Sequence, residues 1–338
     1  MQLFIQKPGT FITQKDECFL LKNQDDKREY SPLKVESLVL THQAMISTQA
    51  VVMALKHNID IVFLDKYGDP LGRIWFPRMG STTLIRRKQL EAAENSFGTE
   101  LVKDLIVRKM ENQERFLKKL MQSRPGSEDI FLPALDSIAG EKNALAQENR
   151  PLGEIRDRIR GLEGSAGRAY FQSLSKIMPE SFQFEKRSKR PAEDPFNAAL
   201  NYGYGMLYSR VEKACILAGL DPYIGFLHAD QYNKVSLVYD LIEPFRIFAE
   251  QSVVYLFTGR KMKQEFFDIA PGDVSLNSAG KPAVVSAMTE YMEESVRYRK
   301  RNVKRMHIIQ HEAHRLANML IGDNPEFQRH EWLEMEEF

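Results

Sequence analysis

Three separated segments place acids and an imidazole where they could do chemistry. Gly161 to Phe171 reads GLEGSAGRAYF, with Glu163 set among small residues at the start of an apolar helix. Small neighbours let another helix or a substrate backbone come close. Gly225-Phe226-Leu227-His228 ends a short apolar run on a histidine. Tyr239 to Arg246 reads YDLIEPFR, and its two acids, Asp240 and Glu243, share one face of a predicted helix. A carboxylate buried in an apolar stretch is costly unless it is paired or bound to a metal. Each segment also has an ordinary reading: Glu163 as a helix-start acid, His228 as a satisfied core histidine, Asp240 or Glu243 as a partner for Arg246.

Other signals carry less. His307, His311 and His314 fall at i, i+4 and i+7 on one helical face, a spacing that permits metal binding. His311-Glu312-Ala313-His314 is one residue short of a metalloprotease motif, and an ordinary polar face is the expectation. Gly280-Lys281 is followed by Pro282 where a phosphate loop needs Ser or Thr. Gly203 and Gly205 lack the third glycine of a dinucleotide fingerprint, so ATP and NAD are both discounted.

The elements that must position these residues fall into two parts. Up to about residue 80, short β-branched or apolar runs alternate with turn residues: Phe4-Ile5, Thr10 to Gln14, Cys18 to Lys22, Val35 to Leu40, Ile59 to Leu64 and Leu71 to Phe76. Thr48 to His57 has helical composition. After Pro77 the apolar period becomes 3.6. Helices are predicted over 84–97, 100–121, 152–178, 195–218, 235–257 and 281–320, with a break at 123–126 and a short strand pair near 266–269 and 274–276. The fold class is therefore α+β in two domains: a small N-terminal β domain over 1–80, a larger all-α domain over 81–322, and an acidic tail over 323–338.

The chain has 338 residues, 43% of them hydrophobic and 28% charged, a globular composition. Two cysteines, Cys18 and Cys215, exclude a disulfide framework and a cysteine zinc site. With no signal peptide and no apolar membrane span, a soluble cytoplasmic protein is expected. The net charge of +1 does not by itself suggest a nucleic-acid protein. The charge is unevenly spread, however. Lys186, Arg187, Lys189 and Arg190 crowd one loop, and Arg297, Arg299, Lys300, Arg301, Lys304 and Arg305 fall within RYRKRNVKR. Either stretch could bind phosphates without sequence preference, or be a solvated surface.

The three motifs, in this order and spacing, together with RPAEDPFNAALNYGY from Arg190 to Tyr204, resemble the CRISPR-associated integrase family, the nuclease of the spacer-acquisition complex. The likeness runs to about Leu320. It implies a β domain followed by a helical catalytic domain. It also implies metal ligands at Glu163, His228 and Glu243, with Asp240 as an additional acidic position. Some members carry Asp where this chain has Glu243; the longer side chain still supplies a carboxylate. The implied cofactor is Mg²⁺ or Mn²⁺, with the imidazole favouring Mn²⁺. Tyr170 and Asn197 match positions close to the site and, with Arg168 and the two basic stretches, are expected to contact DNA. The implied reaction inserts short double-stranded fragments into a CRISPR repeat array, a 3′-hydroxyl attacking a phosphodiester without ATP. The implied partners are a second copy, paired through the β domains, and a small ferredoxin-like adaptation protein. Two other functions remain compatible: a stand-alone metal-dependent nuclease on branched DNA, and a non-catalytic DNA-binding scaffold, against which the intact Glu163, His228 and Glu243 argue.

Overall fold

The computed structural model describes residues 2–322, apart from 6, 25, 41–43, 66, 69, 76–81, 229–233 and 300. The expected acidic tail, Lys300 and the boundary near residue 80 lie outside the described residues.

The N-terminal part holds eight strands among the described residues: β1 (Gln2–Ile5), β2 (Phe11–Lys15), β3 (Cys18–Lys22), β4 (Lys27–Tyr30), β5 (Ser37–Leu40), β6 (Met45–Ile46), β7 (Asp60–Leu64) and β8 (Pro70–Ile74). They form two sheets, ordered β1-β5-β7-β8 and β4-β3-β2-β6. β5 pairs in parallel with both β1 and β7 and is buried along its length, as a central parallel strand must be. Helix α1 (Thr48–Lys56) starts where the Ser47 hydroxyl accepts from the Ala50 amide. It packs Ala50, Met53 and Ala54 into a core with Leu3, Leu38 and Ile61.

The remainder is mainly helical: α2 (Thr82–Ala93), α3 (Ser96–Gln122), α4 (Glu128–Ala146), α5 (Leu152–Lys176), α6 (Pro195–Leu217), α7 (Ser236–Leu241), α8 (Arg246–Thr258), α9 (Lys281–Glu293) and α10 (Arg305–Ile321). The small strands β9 (Phe267–Ala270) and β10 (Asp273–Leu276) form the expected hairpin, and β11 (Ser295–Tyr298) pairs with β12 (Arg301–Lys304). The predicted fold class thus matches the structure.

Four local expectations are corrected. The segment 84–97 is not one helix, because Asn95 leaves helical geometry and caps α3 through Phe97. Helix α4 was not predicted. The stretch 235–257 is two helices, because Pro244 cannot continue the hydrogen-bond ladder and a 3₁₀ turn over Glu243–Phe245 intervenes. The stretch 281–320 is interrupted by the β11–β12 hairpin, so the basic run is a hairpin and not a helix face. Among the described residues no helix is long and apolar enough to cross a membrane, and Cys18 and Cys215 are free thiols.

Candidate active site

Helices α3 and α5, the loop ahead of α7 and the Pro244 break converge on one cavity of about 540 Å³. Glu163, His228 and Glu243 all line it, so the fold unites three segments that are far apart in sequence. Glu163 projects from the middle of α5, not from a helix start. Gly161, Gly164 and Gly167 border open space: among the described residues, a Cβ on any of them would meet nothing within 4 Å. They therefore do not admit a packed helix. Gly164 and Gly167 leave the cavity wall bare beside Glu163, where a substrate backbone could approach.

Glu243 sits in the 3₁₀ turn at the Pro244 break, and Asn112 of α3 pins that break by donating to the Pro244 carbonyl at 2.8 Å. The Glu243 carboxylate is almost fully buried and takes the Arg246 guanidinium on Oε1, at 2.9 and 2.8 Å. Arg246 is itself held over the Tyr204 ring, 4.9 Å from its centroid. Lys109 of α3 reaches Glu243 Oε2 at 2.7 Å and also bonds Glu163 Oε1. Burial opposes the charge on Glu243, but Arg246 and Lys109 outweigh it and hold the carboxyl well below the usual carboxylate range. Burial likewise disfavours the Lys109 ammonium, yet Glu163 and Glu243 keep its pKa above the ordinary lysine value.

His228 lies on the loop ahead of α7, whose stretch before it is clamped from two sides. Gln89 of α2 donates to the Asp221 and Ile224 carbonyls, and Arg160 of α5 donates to the Leu227 carbonyl at 2.9 Å. Asp240 closes the loop from below. Its Oδ2 accepts from the Phe226 and Leu227 amides at 2.6 and 3.0 Å, and its Oδ1 faces the His228 amide at 3.2 Å and His228 Nδ1 at 2.6 Å. All of its acceptor capacity is turned inward, so Asp240 orients the imidazole and does not itself reach the cavity. With Nδ1–H tied to Asp240, the Nε2 lone pair is the one left for a ligand.

The basic residues divide. Arg168, Lys186 and Lys189 are exposed on the cavity rim, and Arg190 lines an adjoining groove with Lys189, Lys234 and Tyr239. Arg187 lines both cavities but is also a strut. It donates to Asn197 Oδ1 at 2.8 Å, bonds Asn201 Oδ1 and lies over the Tyr204 ring. Tyr170 and Asn197 are 0% exposed, which corrects the expectation that they touch DNA. Asn197 instead ties the Lys186 carbonyl to the capped start of α6. On the β11–β12 hairpin, Arg297, Arg299, Arg301 and Lys304 are exposed, but none of them lines the Glu163 cavity. Arg305 is buried and engaged by Glu294 and the Tyr291 carbonyl, so it too is structural. His307, His311 and His314 are exposed on α10, and His311 stacks on Tyr298.

Sequence reasoning missed Lys109. Its signal was a polar residue in phase with Leu101 and Leu105 on the core-facing side of α3, where a buried ammonium demands carboxylate partners. It also missed Glu250, whose carboxyl is buried beside the cavity, pushed up by burial and bonded by Tyr204 at 2.6 Å. Among the described residues no three His, Cys, Asp or Glu side chains close on one point as a ready-made metal cage. The donor set still fits a divalent cation. Two carboxylates and an outward imidazole nitrogen line one cavity, and the Lys109 ammonium already stands between the carboxylates as a cation would.

A β part, a helical part and one basic-rimmed cavity holding two carboxylates and an oriented imidazole place the chain in the class of enzymes that process nucleic-acid phosphodiesters. Residues 3–290 match the family model described as CRISPR associated protein Cas1, and the chain belongs to that family. It is 32% identical over 336 residues to the CRISPR-associated endonuclease Cas1 1 of Archaeoglobus fulgidus, covering 96% of this chain and 97% of that one. Its fold is similar to that of a casposase bound to integration product, with a TM-score of 0.85 at 23% identity, over 100% of this chain and 95% of that one. It is also similar to part of a Cas6-RT-Cas1–Cas2 complex, with a TM-score of 0.80 at 22% identity, over 99% of this chain and 36% of that one.

Proposed function

We propose that the chain is a metal-dependent DNA endonuclease and integrase that inserts short fragments into a CRISPR array by 3′-hydroxyl attack on a phosphodiester. The observation that carries this reading is the convergence of Glu163, Glu243 and His228, from three distant segments, on one cavity with a basic rim. Family membership supports the same activity.

Glu163, Glu243 and His228 would hold Mg²⁺ or Mn²⁺, which when bound supplies Lewis-acid stabilisation of charge on the phosphoryl oxygens. Arg246 keeps Glu243 charged and fixed. Asp240 selects the imidazole tautomer. Arg168, Lys186, Lys189 and Arg190 hold the DNA backbone, and Arg187 braces the loop that carries three of them. One phosphodiester is exchanged for another, so no nucleotide triphosphate is needed.

The β part serves as a dimerisation domain in this reading. Leu33, Met45, Val52 and Leu71 leave apolar surface exposed there, which supports pairing with a second copy. The exposed arginines of the β11–β12 hairpin are a further phosphate-binding surface, outside the cavity. The small adaptation partner is Cas2, with which one structural relative is named in complex.

The test is integration of a labelled short duplex into a repeat-bearing plasmid, with and without the small partner, in Mg²⁺ or Mn²⁺. Joined product that depends on a free 3′-hydroxyl supports the proposal. Cleavage of branched DNA without joining would favour a stand-alone nuclease, and neither activity would favour a scaffold.

A further inference from the structure

Lys109 occupies the place between the two carboxylates that a divalent cation would need. Its ammonium contacts both Glu163 and Glu243, and its side chain is buried. Glu243 is already neutralised by Arg246. Around the cavity, six basic side chains face four carboxylates, and one of the four, Glu250, is pushed towards its neutral form by burial. A dication entering this pocket alone would meet an ammonium on its ligands and add to an excess of positive charge. Like charges a few ångströms apart in a partly desolvated site repel strongly. An anion arriving with the metal removes that cost, and it gives the displaced ammonium a new partner.

A second feature points to the same ligand. Gln113 lies one turn beyond Lys109 on α3 and also lines the cavity. Its side chain is 1% exposed, and among the described residues neither its amide nitrogen nor its oxygen has a hydrogen-bond partner. A buried amide left unpaired is expensive, and native structures rarely keep one without a ligand or water to satisfy it.

We infer that Lys109 is a resident counter-cation that couples metal binding to DNA binding: metal and phosphate enter together, and the ammonium moves from Glu163 and Glu243 onto the phosphate. This rests on the proposed metal reading of the site. It makes Lys109 a positioning residue that keeps the metal site closed until substrate is present. Because the coupling is thermodynamic, metal must tighten DNA binding by the same factor that DNA tightens metal binding.

The test measures Mn²⁺ binding to the full-length chain, by the electron paramagnetic resonance signal of free Mn²⁺, with and without a short duplex, duplex alone being subtracted. In the unsubstituted protein the duplex should raise Mn²⁺ affinity at least tenfold. Lys109→Met should bind Mn²⁺ more tightly than the parent without DNA, and should gain less than threefold when DNA is added. Mere structural damage would move the DNA-free affinity the other way. Lys109→Gln repeats the test should the methionine variant not fold, and Lys109→Arg should keep the coupling. Equal Mn²⁺ affinity of the unsubstituted protein with and without duplex would overturn this inference alone, as would weaker DNA-free binding by both neutral variants. No Mn²⁺ binding in any arm would overturn the metal reading and this inference with it.

Discussion

Replacing Asp240 by asparagine keeps the side chain's shape and removes its charge, which makes it a sharp probe of how His228 is held. Asp240 faces four donors: the Phe226 and Leu227 amides on one oxygen, the His228 amide and His228 Nδ1 on the other. The new NH₂ group must turn towards one of those pairs. Facing the first, it strands two backbone N–H groups, each charge-assisted bond being worth about 1.5–3 kcal/mol. Facing the second, it strands one backbone N–H and presents a donor to the ring. The second orientation is cheaper, but it makes Nδ1 accept and moves the ring proton to Nε2, the atom that faces the cavity. Restoring the ligand tautomer then forfeits the ring bond, again about 1.5–3 kcal/mol, or roughly 10- to 100-fold in metal affinity. The assay is strand transfer of a 3′-hydroxyl duplex titrated with Mn²⁺. Asp240→Asn should require about 10- to 100-fold more Mn²⁺, with partial recovery at high metal, and should melt at lower temperature. A normal Mn²⁺ requirement in a variant that melts early would refute the orienting role and leave Asp240 only structural.

Other substitutions separate packing from chemistry. Gly164→Leu gains about 0.8 kcal/mol of helix propensity, and its Cβ meets no atom of the described residues within 4 Å, so its melting temperature should hold or rise by about 2 °C. Strand transfer should nonetheless fall at least tenfold, because the new side chain fills the wall beside Glu163. Gly225→Ala would place a Cβ 2.5 Å from Ser236 Cβ and 3.1 Å from Asp240 Oδ2. It should cost about 1–3 kcal/mol in a thermal melt and lower activity with it, and an undisturbed variant would contradict this close packing. Glu243 has a folded-state pKa held below its ordinary 4.5, so its stabilisation is present above that value and is lost as pH falls beneath it. Melting temperature should therefore drop more between about pH 5 and 3 in the parent than in Glu243→Gln, and parallel curves would count against the buried pairing.

The division into a β part and a helical part was legible because hydrophobic periodicity changes from 2 to 3.6 along the chain. The helix breaks at Asn95 and Pro244 were not read, although both residues are ordinary stop or cap signals, because apolar periodicity continues across them. The hairpin at 295–304 was hidden by its charges: Arg297, Arg301 and Lys304 face out, while Val296, Tyr298 and the half-buried Val303 mark the inner face. Of the candidate site, Glu163, His228, Asp240 and Glu243 could be named from motifs. What each does could not, because Asp240 and Glu243 look alike in sequence, yet Asp240 sits on α7 turned to the His228 loop and Glu243 sits in the 3₁₀ turn lining the cavity. Tyr170 and Asn197 are sealed in the interior, and sequence cannot tell a side chain beside a site from one buried beneath it. Lys109 carried no motif, and its meaning depends on contacts with residues 54 and 134 positions away.

The central claim is that Glu163 and Glu243, with His228, form the centre that joins a DNA 3′-hydroxyl to a phosphodiester. The most direct measurement compares the parent with Glu163→Gln and Glu243→Gln for joining of a labelled duplex, carrying either a 3′-hydroxyl or a 3′-deoxy end, in Mn²⁺. The account predicts joined product only for the parent with the 3′-hydroxyl duplex, while both variants still retain the duplex in a binding assay. Joining by either variant at the parent's rate, or joining of the 3′-deoxy duplex, would contradict it.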